Sequence, residues 1–182
     1  MRLQYQVLLP LLGLFLGREI FTASFPLEIA VEVHRVVDGD TLEVRSGGAL
    51  WTIRLAGVDA PESGQPTRLG HQSAGQFAKR CLARSVQPGS WRLHWQGRDH
   101  YGRVLGDLRR GKRSLCLELI QQGCVSVYPF LTGYSRQEKR RLNQSLEWAK
   151  THRRGLWAMG GFQRPYYWRK LQKTRRTPVA KE

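Results

Sequence analysis

The feature that most restricts the fold is a series of short alternating segments, separated by turn signals, in the first third of the chain. In residues 27–34 apolar side chains alternate with polar or small ones, which indicates a half-buried strand. Glycine-containing turns follow at residues 38–39 and 46–48, and the segments 41–45 and 51–58 are rich in residues that favour strands. Three antiparallel strands joined by short turns predict a meander.

The second part of the chain mixes helical and strand periods. Residues 74–82 carry apolar side chains at helical spacing, and strand alternation returns in 91–95 and 104–108. A serine cap at Ser114 and a capping box at residues 135–138 predict two more helices. Five short strands, interrupted by one helix and followed by two, predict an α+β, mainly β fold: a small Greek-key barrel with three packed helices. An α+β sandwich is the alternative.

The balance of charge points to a polyanionic partner. The chain has 30 basic and 14 acidic side chains, for a net charge of +16, and such a field attracts polyanions. Nucleic acid is the leading partner class, while an anionic membrane surface or a merely soluble basic protein would show the same charge. Residues 159–182 form a basic aromatic tail. This tail is expected either to clamp a strand through phosphate contacts and base stacking or to be a frayed, solubilising end.

The first 24 residues have the pattern of an export signal. An early arginine precedes an apolar run over residues 7–17, and small residues follow at 22–24. The run is too short to span a bilayer, so an uncleaved interfacial anchor is the alternative to cleavage. We therefore expect an exported protein, secreted or periplasmic, with one folded domain over residues 25–158 and the tail after it.

Three cysteines restrict the use of disulfides. An odd number excludes a complete disulfide framework, and no Cys-x-x-Cys with paired histidines indicates zinc. Cys81, Cys116 and Cys124 each lie in an apolar stretch, so we expect buried thiols. One pair can still oxidise if the protein is exported.

Polar residues that are difficult to explain as ordinary surface occur at predicted strand ends and turns, where a rigid barrel can direct them into one cleft. They lie in three segments, residues 36–41, 53–62 and 99–103. Arg54 interrupts an apolar strand, so its charge needs either solvent or an anionic partner. Asp59 and Glu62 follow it within eight residues, and we expect the three to meet at one strand end. A calcium loop of the EF-hand type is excluded, because Ala49 stands where its last acid is required.

Together these residues form the set that metal-assisted phosphodiester hydrolysis needs. Ca²⁺ prefers carboxylate and carbonyl oxygens, which Asp40, Asp59 and the backbone of residue 60 can supply. A nearby glutamate can deprotonate an attacking water. Two arginines can hold the charge that develops on the phosphorane through paired hydrogen bonds, where lysine would offer only a point charge.

The three motifs also occur in the order found in a known family. Asp-Gly-Asp-Thr, Arg-Leu-x-x-Val-Asp-x-Pro-Glu and Asp-x-Tyr-Gly-Arg together resemble the staphylococcal nuclease, or thermonuclease, family over residues 29–157. The resemblance implies a five-stranded oligonucleotide-binding (OB) barrel with three helices, Ca²⁺ as cofactor, and cleavage of DNA or RNA to 3′-phosphorylated products. No patch in the sequence indicates a protein partner, so we expect a monomer. We also expect the protein to act preferably on single-stranded nucleic acid.

The resemblance implies a role for each matching residue. Two carboxylates and one backbone carbonyl are expected to bind Ca²⁺: Asp40, Asp59 and Ala60. A general base and two phosphate-binding arginines are expected to be catalytic: Glu62, Arg54 and Arg103. Two tyrosines are expected to bind substrate, Tyr101 at a terminal phosphate and Tyr128 near the nucleotide base. Asp38 is expected to lie just outside the metal ligands.

Two other classes of function compete with a nuclease. A non-catalytic oligonucleotide-binding module needs only the same barrel and a basic groove, but such a module should lack at least one catalytic residue. This chain has the full set. A membrane-surface protein held by anionic lipid would explain the charge but not the motifs of acids and arginines. The sequence therefore predicts a calcium-dependent phosphodiesterase.

Overall fold

A computed structural model describes residues 28–63, 72–160 and 162–176 of the chain. The predicted export signal at residues 1–24 lies outside the described residues. The strands are β1 (Glu28–Asp38), β2 (Thr41–Ser46), β3 (Ala49–Leu55), β4 (Val58–Asp59), β5 (Ser90–Arg98), β6 (Val104–Arg110), β7 (Arg113–Ser114) and β8 (Ser126–Val127). The helices are α1 (Gln72–Ser85), α2 (Leu115–Gln121), α3 (Arg136–Thr151) and α4 (Pro165–Arg176).

Five of these strands close into a barrel. The main sheet has the order β3-β2-β1-β5-β6-β7, and its neighbouring strands are antiparallel. The barrel closes because β3 also pairs with β6 in parallel, with Ile53 opposite Val104. A closed five-stranded mixed barrel with packed helices is an α+β OB fold, so the predicted fold class is confirmed. The alternative of an α+β sandwich is excluded by the closure.

The alternating pattern of the sequence produces the core of this barrel. Leu42 and Val44 of β2 are fully buried, and Leu42 lies opposite Ile53 of β3. The turn between β1 and β2 packs directly against α1. A side chain at Gly39 would begin 2.7 Å from the Cβ atom of Ala78 in that helix, so only glycine fits. The barrel and α1 thus fix the loop that carries Asp38 and Asp40.

Three of the helices, α1, α2 and α3, were predicted from the sequence, and the fourth, α4, was not. The Ser114 hydroxyl caps α2, and Ser135 and Glu138 form the predicted capping box at the start of α3. The fourth helix, α4, lies in the tail, where no helix was predicted. Pro165 stands at its first position, where its fixed φ favours a helix. None of the helices in the three described ranges is long and apolar enough to cross a membrane.

The three cysteines agree with the sequence analysis. Cys81 of α1 and Cys124, which follows α2, form a disulfide with a Cα–Cα distance of 5.9 Å. Cys116 is a free, buried thiol, and burial raises its pKa well above the ordinary value. All three cysteines are buried, as expected; Cys116 is a thiol, and Cys81 and Cys124 are the one pair that the sequence analysis allowed to oxidise. Their pairing follows from the packing of α1 beside the end of α2.

Candidate active site

Two buried carboxylates converge on one arginine nitrogen. The Nη2 atom of Arg54, on β3, lies 3.0 Å from Asp40 Oδ2 and 3.7 Å from Asp59 Oδ1. The Nη1 atom of the same guanidinium donates hydrogen bonds to the carbonyl oxygens of Leu55 and Val58, at 3.1 and 3.2 Å. Arg54 is therefore held in one position and joins the first two polar segments, as the sequence predicted.

Asp40 is further fixed by the chain around it. The backbone N–H of Ala60 donates to Asp40 Oδ2 at 2.8 Å, and the Thr41 hydroxyl donates to Oδ1 at 3.0 Å. Burial raises the pKa of Asp40, although the charge of Arg54 and the Ala60 hydrogen bond oppose the rise. Ala60 is itself buried. The loop between β1 and β2 and the segment after β4 are thus bonded to each other at the predicted metal ligands.

Asp59 is covered by the C-terminal helix. It lies in β4, and only 1% of its surface is exposed. Its Oδ2 atom accepts the backbone N–H of Tyr166 at 2.8 Å, and its Oδ1 atom accepts Nη2 of Arg169 at 2.6 Å. Both oxygens of this predicted ligand therefore bond to α4.

Glu62 stands at the edge of the same group, with its side chain about half exposed. Its Oε1 atom accepts Nη1 of Arg169 at 3.0 Å. Burial of the carboxyl raises the pKa of Glu62, and the Asp38 and Asp40 charges add to the rise while Arg169 opposes it. The Glu62 backbone lies against Gly75 of α1, where there is no room for a Cβ atom.

Arg103 arrives from the turn between β5 and β6. Asp99 holds it there: the Nε atom of Arg103 donates to Asp99 Oδ2 at 2.7 Å, and the backbone N–H groups of Tyr101 and Arg103 donate to Oδ1 at 2.9 and 3.0 Å. Burial raises the pKa of Asp99, but the hydrogen bonds and charge of Arg103 outweigh it, so the pKa is lowered. The shortest contact of this ion pair is made through Nε. Tyr101 is 74% exposed.

These residues share one cleft of about 1260 Å³. Six of the eight predicted site residues line it, namely Asp40, Arg54, Glu62, Tyr101, Arg103 and Tyr128. The other two, Asp59 and Ala60, are buried. Arg54 lies on β3 and Arg103 directly precedes β6, and the parallel pairing of these two strands places both arginines at the same cleft.

Three further cleft residues were not predicted individually from the sequence: Phe130, Tyr166 and Arg169. Tyr166 and Arg169 belong to α4, and the aromatic and basic composition of the tail was their only signal. The Tyr166 ring lies at right angles to those of Tyr128 and Phe130, with centroid distances of 6.1 and 5.2 Å. The tail therefore forms one wall of the cleft.

The donor atoms fit a hard cation, although their present arrangement does not form a metal site. Within the described ranges, no three acid, histidine or cysteine side chains are grouped as metal ligands. The positively charged guanidinium groups of Arg54 and Arg169 contact the two aspartates, as a bound cation would. Carboxylate oxygens that already converge on a cationic nitrogen are the donors that Ca²⁺ prefers.

The fold and the cleft define an OB-barrel protein with the acid and arginine groups of a phosphodiester hydrolase. A family model described as "Staphylococcal nuclease homologue" matches residues 52–159. The chain belongs to this family. The match includes every predicted site residue except Asp40, and it ends before α4 begins.

Curated relatives agree with this assignment. The chain is 32% identical over 120 residues to the probable staphylococcal-like nuclease CAN1 of Oryza sativa subsp. japonica, which covers 66% of this chain and 33% of that protein. It is 29% identical over 151 residues to the micrococcal nuclease of Shigella flexneri, covering 78% and 81%. It is 30% identical over 136 residues to the thermonuclease of Staphylococcus hyicus, covering 72% and 77%. The chain thus spans a third of the rice protein and most of the two bacterial ones. These similarities support a nuclease function.

Proposed function

We propose that this protein is a calcium-dependent nuclease that hydrolyses phosphodiester bonds of DNA and/or RNA and leaves 3′-phosphorylated products. One observation carries the proposal. Asp40 and Asp59 converge on Arg54, and Glu62 and Arg103 open onto the same cleft. Binding of an oligonucleotide alone requires no pair of buried acids beside a guanidinium.

The two aspartates would hold the cation together with the backbone carbonyl of Ala60. A bound Ca²⁺ supplies positive charge next to the phosphate and so stabilises the charge that develops there. Asp40 is buried and bonded on several sides, so its carboxylate is already fixed in position as an oxygen donor.

The remaining steps belong to three side chains. Glu62 accepts a proton from the attacking water, and its raised pKa brings its basicity closer to that of a useful general base. Arg54 and Arg103 donate hydrogen bonds to the phosphate oxygens as their charge increases. The bond between phosphorus and the 5′ oxygen breaks, the leaving oxygen takes a proton from solvent, and the phosphate stays on the 3′ side.

A single strand is the substrate that fits the walls of the cleft. Tyr101 is exposed beside Arg103, where a terminal phosphate would lie, and Tyr128 and Phe130 line the same cleft. Unpaired bases can stack on such rings, whereas the bases of a duplex already stack on each other. The net charge of +16 favours approach of the polyanion to a monomer.

Export is part of the proposal. The signal-like residues 1–24 support it, although a retained interfacial anchor would give the same pattern. The disulfide between Cys81 and Cys124 adds support, because disulfides persist mainly in oxidising compartments. Mass spectrometry of the mature N-terminus distinguishes a cleaved signal from an anchor.

The test is cleavage of a 5′-labelled single-stranded oligonucleotide with Ca²⁺ and with a chelator. We expect Ca²⁺-dependent shortening, and Glu62→Gln should slow it by about two to four orders of magnitude, the usual contribution of a general base. Glu147→Gln on α3 is the control: this exposed glutamate pairs with Lys150 outside the cleft, so the variant should cleave at the wild-type rate. Product ends are then treated with a 3′-phosphatase.

Two results would contradict the proposal. A shifted band that never shortens would mean a binding module. Products that bear 5′-phosphates would mean that the other ester bond is broken.

A further inference from the structure

The C-terminal helix bonds directly to two groups that the proposed reaction needs. One guanidinium bridges them: Arg169 Nη2 lies 2.6 Å from Asp59 Oδ1, and Nη1 of the same residue lies 3.0 Å from Glu62 Oε1. The second oxygen of Asp59 accepts the backbone N–H of Tyr166. One metal ligand and the general base are thus engaged by a segment that lies beyond the end of the family match.

This contact is one of several that hold α4 on the cleft. Just before the helix, Arg164 donates through Nη2 to the carbonyl oxygen of Val127 at 2.7 Å and through Nε to the Ser126 hydroxyl at 3.0 Å. At its first turn, the Tyr166 ring packs against Phe130 at 5.2 Å between centroids. The position of Arg169 is therefore set by the docking of the whole helix.

The bridge is disfavoured when a cation is bound at the same oxygen. A calcium ion would lie 2.3–2.6 Å from the Asp59 oxygen, the range typical of its ligands. The Arg169 nitrogen is 2.6 Å from that same oxygen, so the two positive groups would lie within a few ångströms of each other and repel. Binding of the cation therefore weakens the bridge and favours release of Arg169.

We propose that Arg169 competes with the divalent cation for Asp59, so that α4 closes the metal-free site and is released when the cation binds. The inference rests on the proposed function, because it takes Asp59 as a metal ligand. It adds an autoinhibitory contact that sets the calcium concentration at which the cleft opens. The apparent affinity for calcium is the intrinsic affinity reduced by the fraction of molecules that are open.

Calcium titration by calorimetry on the full chain tests the competition. Arg169→Ala should bind Ca²⁺ about tenfold more tightly than the wild type, within the range common for coupled equilibria. Arg140→Ala removes an exposed positive charge on α3, outside the cleft, and should leave the affinity unchanged. Equal affinities in all three proteins would overturn the inference.

A lysine at position 169 distinguishes the effect of the two-carboxylate bridge from the effect of the positive charge alone. Arg169→Lys keeps the positive charge but cannot bond two carboxylates at once in a planar fork. We expect its affinity for Ca²⁺ to lie between those of the wild type and Arg169→Ala. If Arg169→Lys binds as weakly as the wild type, the electrostatic field alone is responsible, and the bridge has no role.

Limited trypsin digestion measures the release of α4 directly and does not depend on nuclease activity. In the wild type, cleavage after Lys170 should be slow in chelator and faster in Ca²⁺, while cleavage after Arg140 in α3 serves as the internal reference. In Arg169→Ala, cleavage after Lys170 should be fast in both conditions. Digestion of α4 that does not respond to Ca²⁺ would overturn the inference while nucleic acid cleavage continued, so its failure is separable from that of the proposed function.

Discussion

The backbone carbonyl of Glu62 occupies the space where a side chain at Gly75 would begin. Gly75→Ala should therefore push Glu62 away from the cleft, and we expect kcat/KM on single-stranded DNA to fall by about tenfold to a hundredfold, as is usual for a displacement near 1 Å. The clash with backbone atoms also costs stability, which the helix preference of alanine, about 1 kcal/mol over glycine, offsets only in part, so a thermal melt must first show that the variant is folded. Gly160→Ala, at a glycine with open space around it, is the control. Full activity of Gly75→Ala would show that this contact does not position Glu62.

The ion pair between Asp99 and Arg103 gives a prediction about a positioning residue. In Asp99→Asn the side-chain oxygen can still accept the two backbone N–H groups, so the turn should remain while the charge partner of Arg103 is lost. We expect kcat to fall about tenfold with KM nearly unchanged, because an interaction made mainly in the transition state is weakened. Glu43→Gln breaks the exposed Arg35 pair outside the cleft and should have no effect. A change in KM alone would contradict the role given to Asp99.

Reduction of the Cys81–Cys124 disulfide should destabilise the protein. The bridge closes a loop with a sequence separation of 43, and bridges of this kind contribute about 2–4 kcal/mol to the free energy of unfolding. Urea denaturation should show a lower midpoint for the wild type in reductant. Cys81→Ser should have a low midpoint in both conditions. If reductant leaves the wild-type midpoint in place, the disulfide does not form in the protein.

Phe130 offers a test of the preference for single strands. Its ring is 58% exposed in the cleft, and stacking of one base on such a ring contributes about 1–3 kcal/mol. Phe130→Ala should therefore raise KM for single-stranded DNA and change the cleavage of duplex DNA little. Leu50→Ala removes a similarly exposed apolar side chain from β3, away from the cleft, and serves as the control. An equal rise of KM for both substrates would contradict a role in stacking.

The fold was largely predictable because its signals are local. The alternation that buries Leu42 and Val44 repeats every two residues, and the capping box of Ser135 and Glu138 spans only four. Such patterns depend on neighbours in the sequence. The closeness of Arg54, Asp59 and Glu62 was predictable for the same reason, since all three lie within nine consecutive residues that include the end of β3 and the short strand β4.

The contacts of α4 depend on tertiary packing instead. Arg169 is 110 residues from Asp59 in the sequence, and any of 30 basic side chains had the charge to pair with it. The helix itself is polar and basic, without the wide apolar stripe that marks a core helix. The pairing of Cys81 with Cys124 could not be predicted from the sequence for the same reason, because it depends on how α1 packs against α2.

The parallel pairing of β3 with β6 has a consequence for heat resistance. Arg54 lies on β3 and Arg103 directly precedes β6, so the main-chain hydrogen bonds between these strands, together with the Asp99 contact, set the spacing of the two arginines. Warming that loosens surface side chains leaves these main-chain hydrogen bonds in place. Catalytic competence should therefore persist up to the melting of the barrel itself and disappear with it.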